Sequence, residues 1–186
     1  MWHNPCRDDR GAVVPTGFIY DYIKKREDMI ILNIKEILAK KNLTLPEAPA
    51  AVGLYSQVRE FGVNMCYVSG CLPNIPGVET FAGKVGGQYT LEDGQRAAQM
   101  AMLNMLAIMQ KNLGDLSRIK RIVKLTCFVA CESDFYQQPA VANAASQLLL
   151  DIFGEEKGKA ARSAVGVNAL PLNAPFEIEM LAELES

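Results

Sequence analysis

The order of hydrophobic and polar positions predicts a helix, two strands, a helix, a strand, a helix and two further strands. The clearest helix begins after Thr90, which opens the sequence TLED and places an acid at the third helical position, as in a capping box. It is predicted to end near Leu113, before Gly114. Its middle, AAQMAMLNMLAIM, has a broad apolar face. Its methionines are therefore interpreted as packing against a sheet, rather than as lining a promiscuous binding groove.

Two other helices are predicted, one on each side of this one. The later helix begins at Ser133-Asp134 and ends at Gly154. The earlier helix lies within residues 21–43. One apolar face of that helix is formed by Ile30, Ile31, Ile34 and Leu38.

Stretches rich in branched and aromatic residues predict the strands. The first two strands are separated by Gly62-Val63-Asn64, a turn sequence typical of a hairpin. The predicted strands are residues 55–62, 64–70, 119–130, 161–169 and 175–184. Helices interspersed with strands of one sheet indicate an α+β fold: one sheet with two main helices on one face, plus an additional N-terminal helix.

Charged residues interrupt the two C-terminal strands. Arg162 stands at the start of ARSAVGV, and Glu177 and Glu179 lie two residues apart in FEIEML, so both point to the side opposite Phe176 and Ile178. One interpretation makes Arg162 an exposed strand end and the acids a solvated face. Another pairs residues 161–169 and 175–184 as a hairpin, but Arg162 is then not opposite Glu177. The geometry of a simple hairpin therefore does not bring Arg162 and Glu177 together into a site.

Composition is that of an ordinary globular domain, with 49% hydrophobic and 22% charged residues in a chain of 186. No apolar run reaches the roughly 18–20 residues that span a bilayer, so a membrane is not an expected partner. The net charge of −2 argues against nucleic-acid binding, which usually needs a clustered basic surface. The odd number of cysteines, five, indicates reduced thiols in a cytoplasmic protein.

The chemistry available to the chain is limited by its single histidine, His3. Catalytic triads need a positioned imidazole, so the sequence argues against a triad. Any acid–base catalysis must then use carboxylates, tyrosine, lysine or bound water. Cys127 and Cys131 lack the further Cys or His ligands of a zinc site. The sequence GKVGG lacks the spacing of a phosphate-binding loop.

The N-terminal residues 1–28 are interpreted as a leader, loosely attached or absent from the natural protein. Met29 follows KKRED, whose codons could resemble a ribosome-binding site, and is a candidate start. Residues 29–186 are then a single domain. Peptides from the leader, found by N-terminal mass spectrometry of the natural protein, would contradict this hypothesis.

Three ordered stretches of the chain are similar to one known family. They are APAAVGLYSQV, YVSGCLP and ARSAVGVNALPLNAPFEIEML. Together they resemble the Rid/YjgF family of reactive-intermediate imine deaminases, also known by the older label endoribonuclease L-PSP, over about residues 45–183. The resemblance implies a chorismate-mutase-like, YjgF-like fold in a homotrimer with active sites in clefts between subunits. It implies hydrolytic deamination of 2-imino or enamino acids to 2-keto acids and ammonia, without metal or cofactor.

The resemblance also assigns roles to three side chains. Arg162 matches the arginine that binds the substrate carboxylate, a role that suits the planar guanidinium fork. Glu177 matches the acid that positions or activates the attacking water. Tyr55, in GLYSQ, matches a tyrosine that hydrogen bonds substrate or water.

Three further positions match the family pattern. The backbone groups of Gly70 and Ala164 match positions that face the ligand, and Asn143 matches a site-adjacent asparagine. Ala164 stands where the family usually has cysteine, and Leu54 where it usually has proline. These departures indicate a divergent branch whose substrate could differ.

Two alternatives to a deaminase remain open. The first is a non-catalytic ligand-binding or regulatory trimer that holds a small carboxylate through Arg162. The second is an RNA-cleaving protein, which the negative net charge, the lack of a positioned histidine and the lack of a basic, aromatic-rich run disfavour.

Overall fold

The computed structural model describes residue 21 and residues 34–51, 53–75 and 80–185. The predicted leader, residues 1–28, lies outside this part of the chain except for Asp21, and so do Met29, Ile30 and Ile31. Residues 34–40 are helical and are here named α1. Ile34 and Leu38 are both buried, which confirms that half of the predicted apolar face.

The predicted order of elements is confirmed. After α1 come β1 (Val58–Phe61), β2 (Met65–Cys71), α2 (Leu91–Leu113), β3 (Ile119–Ala130), α3 (Gln138–Gly158), β4 (Ala161–Val167) and β5 (Phe176–Leu184), with short 3-10 helices at Leu116–Arg118 and Pro171–Asn173. In the described residues, no helix is both long enough and apolar enough to cross a membrane.

The five strands form one sheet in the order β1-β2-β5-β3-β4. β1 and β2 form the predicted antiparallel hairpin, whose turn begins with Gly62 at a φ of 62°. β5 is antiparallel to both of its neighbours, while β4 is parallel to β3. The interpretation that pairs β4 with β5 as a hairpin is wrong, because β3 lies between them. β4 reaches one edge of β3 through the α3 crossover, and β5 returns along the other edge.

Helix α2 begins and ends as its sequence predicts. The Thr90 hydroxyl accepts a hydrogen bond from the Asp93 backbone N–H at 3.2 Å, and the Asp93 carboxylate accepts one from the Thr90 N–H at 3.1 Å. Gly114 follows the helix with a φ of 84°, a conformation that favours glycine. Met102, Met105 and Met109 are fully buried, which confirms a packing role for them.

Helix α3 begins later and ends later than predicted. Ser133 and Asp134 precede the helix, which starts at Gln138 with proline in its first turn. Gly154 has non-helical dihedral angles, but helical structure resumes and ends at Gly158. The predicted end therefore marks a break within α3 rather than its terminus.

The two main helices cover one side of the sheet. α2 and α3 pack against each other, with α2 over β2 and β5 and α3 over β3 and β4. Buried side chains of the strands point to this helix side, among them Cys66, Val68, Leu125, Cys127 and Ile178. Alternate residues point to the other side, here called the open side. These two sides determine where each functional side chain lies.

Candidate active site

Arg162 lies on the helix side of the edge strand β4, where it pairs in register with the buried Leu125. Its guanidinium is held against α3. Nη1 donates to Oγ of Ser146 at 2.8 Å, and Nη2 donates to Oδ1 of Asn143 at 3.0 Å and to the carbonyl oxygen of Pro139 at 3.2 Å. The structure thus brings together Arg162 and Asn143, which the resemblance assigned to one site.

Among the described residues, the Arg162 guanidinium donates its hydrogen bonds to neutral oxygens. None of its three hydrogen-bond acceptors is a carboxylate. Within the described ranges, the ion pairs involve other residues and none includes Arg162. A partly exposed guanidinium in this setting can bind the carboxylate of a ligand without first breaking an ion pair of the protein.

Glu177 lies on the open side of β5, between the buried Phe176 and Ile178. Its side chain folds over Gly70 of β2, where the strand pairing shifts register. A Cβ at Gly70 would overlap Oε1 of Glu177 and lie 2.9 Å from its Cδ. Burial and, to a smaller degree, the charge of Glu179 raise the pKa of Glu177. The carboxylate of Glu177 is therefore half-buried and more basic than an exposed one, and it lies above the backbone of Gly70, which has no side chain.

Tyr67 and Glu179 adjoin this carboxylate. The sequence placed Glu179 on the same side of β5 as Glu177, whereas Tyr67 was missed by sequence reasoning. The Tyr67 hydroxyl donates to Oε2 of Glu179 at 2.8 Å, which raises the pKa of the tyrosine. The bond holds Glu179 near Glu177. Alternation could have revealed Tyr67 as well, because it lies between buried residues of β2 just as Glu179 does in β5.

Tyr55 lies just before β1 and its side chain is 50% exposed. The residues that follow it are fixed beside Gly70. The Ser69 hydroxyl donates to the carbonyl of Ser56 at 2.8 Å, and the Ser69 N–H donates to the carbonyl of Gln57 at 2.9 Å. Tyr55 is therefore anchored at the Gly70 end of the sheet, and its ring remains available to a ligand or a partner.

Ala164 lies on the same side of β4 as Arg162, pairs with Cys127 and packs against the core. The predicted site residues of one chain therefore form two separate groups. The arginine group, on the helix side, consists of Arg162, Asn143 and Ala164. The glutamate group, on the open side, consists of Glu177 and Gly70, with Tyr55 anchored nearby.

Residues 35–184 match the model of the family described as "YjgF/chorismate_mutase-like, putative endoribonuclease". The chain belongs to this family. The match confirms both the predicted family and the predicted fold class.

Several proteins are similar to this chain over most of its length. Protein TCP17 of Trypanosoma cruzi is 41% identical over 149 residues, which cover 80% of this chain and 92% of that protein. A 2-iminobutanoate/2-iminopropanoate deaminase of Dermatophagoides farinae is 31% identical over 147 residues, or 78% and 98% of the two chains. The solved structure of Atu1372 from Agrobacterium tumefaciens, of unknown function, has a TM-score of 0.79 at 36% identity and covers 88% and 99%.

Cys71 lies next to the glutamate group but is not suited to act as a nucleophile. Its side chain is 4% exposed. Burial, assisted by the charge of Glu177, raises the pKa of the Cys71 thiol to about 12. Burial likewise raises the pKa of Cys127 to about 12, although Arg162 opposes the shift. Both thiols remain protonated near neutral pH and act as small core residues.

Two cavities in the described part of the chain lie away from the predicted site residues. A cavity of about 940 Å³ lies between α1, residues 42–48 and the end of α2. A second, of about 430 Å³, lies at the ends of β3 and β4, where Gly166 and Gln138 contribute to its wall. None of the six predicted site residues lines either cavity. Both groups lie instead on surfaces that a second chain could cover.

Proposed function

We propose that the protein is a hydrolytic deaminase that converts 2-imino or enamino acids into 2-keto acids and ammonia. The observation that carries the proposal is the Arg162 guanidinium, fixed by three neutral oxygens and paired with no carboxylate in the described part of the chain. Membership of the YjgF family and the 2-imino acid deaminase among its relatives support the same reaction.

Arg162 binds and orients the substrate carboxylate in this reaction. A charge-assisted bond from a guanidinium is stronger and more directional than one from a neutral donor. Fixing the carboxylate fixes the neighbouring imine carbon, which is already electrophilic. Orientation of that carbon toward a bound water supplies part of the rate enhancement.

Glu177 acts on the water. Its ionised carboxylate takes a proton from the water as the water oxygen bonds to the carbon of the protonated imine, and the electrons of the C=N bond pass to the nitrogen. The resulting neutral tetrahedral adduct carries one hydroxyl and one amino group. Glu177 returns the proton to the amino nitrogen and accepts the hydroxyl proton as the C–N bond breaks, and the products are ammonia and a 2-keto acid. The raised pKa of Glu177 makes it a stronger base than an exposed glutamate. Tyr55 and the backbone of Gly70 supply hydrogen bonds to water or substrate.

The opposite positions of the arginine and glutamate groups support a site shared between subunits. We infer a homotrimer in which the arginine group of one chain meets the glutamate group of its neighbour. Large apolar side chains on the open side favour such contacts: Phe61 is 49% exposed, Tyr67 42% and Val165 44%. The proposed partners are therefore a small 2-imino acid and further copies of this chain in the cytoplasm.

The test is keto-acid and ammonia release from freshly generated 2-aminoacrylate and 2-iminobutanoate. The wild type accelerates release, and Arg162→Ala loses on the order of a hundredfold in kcat/KM because the carboxylate loses its charged partner. Glu177→Gln loses turnover but still binds the keto-acid product. If the folded wild type gave no acceleration over the uncatalysed rate, the deaminase proposal would be wrong, and retained keto-acid binding would indicate a non-catalytic carboxylate-binding protein.

A further inference from the structure

The way in which Arg162 is anchored distinguishes its two terminal nitrogens. Nη2 has two acceptors, the carbonyl of Pro139 and Oδ1 of Asn143. Nη1 has a single acceptor within the described chain, Oγ of Ser146, and this is the shortest of the three bonds at 2.8 Å. A guanidinium is planar and has five N–H donors, so anchors on both terminal nitrogens fix its plane as well as its position.

The three acceptors form one stripe along α3. Residues 139, 143 and 146 are spaced by four and three positions, so they share a helix face. The carbonyl of Pro139 is a backbone group in the first turn of α3 and cannot leave without disturbing the helix. Asn143 is exposed, and its side-chain amide can turn from acceptor to donor, so a ligand carboxylate can take its place on Nη2. Ser146 is partly buried and forms a short bond to the other nitrogen.

We propose that Ser146 is a positioning residue, which fixes the plane of the Arg162 guanidinium so that it presents its donors to the carboxylate of the substrate. The inference rests on the proposed function, because it assigns Arg162 to carboxylate binding. Ser146 does not touch the reacting atoms. Its loss leaves Nη1 without its anchor and lets the guanidinium rotate, so part of the binding free energy is spent on ordering it.

Substitution of Ser146 is expected to change binding rather than chemistry. Ser146→Ala raises KM for 2-iminobutanoate about tenfold, the typical effect of removing one hydrogen bond to a charged group. kcat remains within about twofold, because Glu177 and its water are untouched. Ser146→Thr restores most of the affinity, since it keeps a hydroxyl at the same position. Gln147→Ala is the matched control: Gln147 is exposed and bonds Asp151 at 2.9 Å, away from Arg162.

A binding measurement separates this inference from the deaminase proposal. Calorimetric titration with 2-oxobutanoate gives Kd without turnover. We expect Ser146→Ala to weaken Kd about tenfold in the wild-type background and to have no further effect in the Arg162→Ala background, since the serine acts only through the arginine. Equal Kd for wild type and Ser146→Ala, with Arg162→Ala still impaired, would overturn the inference and leave the deaminase proposal intact. If the Kd values followed the expected pattern but the wild type showed no turnover, the role of Ser146 would stand and the deaminase proposal would be wrong.

Discussion

Arg162 and Glu177 lie on opposite sides of the same sheet, on strands that are separated by β3. Arg162 faces α3, where Ser146 and Asn143 hold its guanidinium, and Glu177 faces the open side above Gly70. Two groups placed in this way cannot act on the same small molecule within one chain. The arrangement is expected if the catalytic unit is assembled from neighbouring subunits.

Gly70→Ala is expected to impair catalysis with little effect on stability. A methyl group at Gly70 would collide with the carboxyl group of Glu177, whose flexible end can move away. Displacing a catalytic group by about 1 Å lowers kcat by roughly tenfold to a hundredfold. The thermal midpoint should change by less than about 3 °C, since no core group moves. A folded Gly70→Ala variant with the kcat of the wild type would contradict a role through Glu177.

The pH dependence of kcat/KM should report the raised pKa of Glu177. Catalysis needs the ionised carboxylate, so kcat/KM falls as pH drops through a pKa above the ordinary value of 4.5. Glu179→Gln removes the neighbouring negative charge, lowers the pKa of Glu177 and moves the acid limb to lower pH. The pKa of Glu177 falls only part of the way toward the ordinary value, because burial, the larger cause of its rise, remains. Glu155→Gln, at an exposed acid of α3, should leave the limb in place. An unchanged acid limb in Glu179→Gln would refute the coupling.

Cys71 should resist alkylation in the folded protein. With a pKa of about 12, only about one thiol in ten thousand is ionised at pH 8, and the side chain is buried. Peptide mass spectrometry after iodoacetamide treatment should find Cys71 unmodified in native protein and modified after denaturation in guanidinium chloride. Cys71→Ala should keep kcat/KM within about threefold of the wild type. Rapid labelling of native Cys71, accompanied by loss of activity, would show a reactive thiol at the site.

The order of elements was predictable because it depends on local signals. Thr90 and Asp93 form the capping box that TLED predicts, and Gly114 follows α2 with the positive φ expected of a terminating glycine. The beginning of α3 was not predictable in this way. Ser133 and Asp134 have the composition of a helix cap, but a turn in which the Phe135 N–H donates to the Glu132 carbonyl precedes the helix.

The partners of a strand depend on contacts that are distant in sequence, which explains the wrong hairpin of β4 and β5. Alternation identified both strands and assigned Glu177 and Glu179 to one side, but it does not specify which edge of β3 each strand occupies. The same limit applies to the site. No sequence motif marks Ser146, a polar residue of α3. Its contact with Arg162 is seen only in the folded chain, where its hydroxyl accepts a hydrogen bond from the guanidinium.

The most direct test of a deaminase site shared between subunits is to mix two inactive variants. Arg162→Ala and Glu177→Gln chains are co-expressed in equal amounts with different affinity tags, and mixed trimers are isolated and assayed with 2-iminobutanoate. Each mixed trimer then contains one interface in three that takes Arg162 from one chain and Glu177 from its neighbour, so about a third of wild-type activity should return. Verified mixed trimers that remain as inactive as the two parent variants would contradict a shared site.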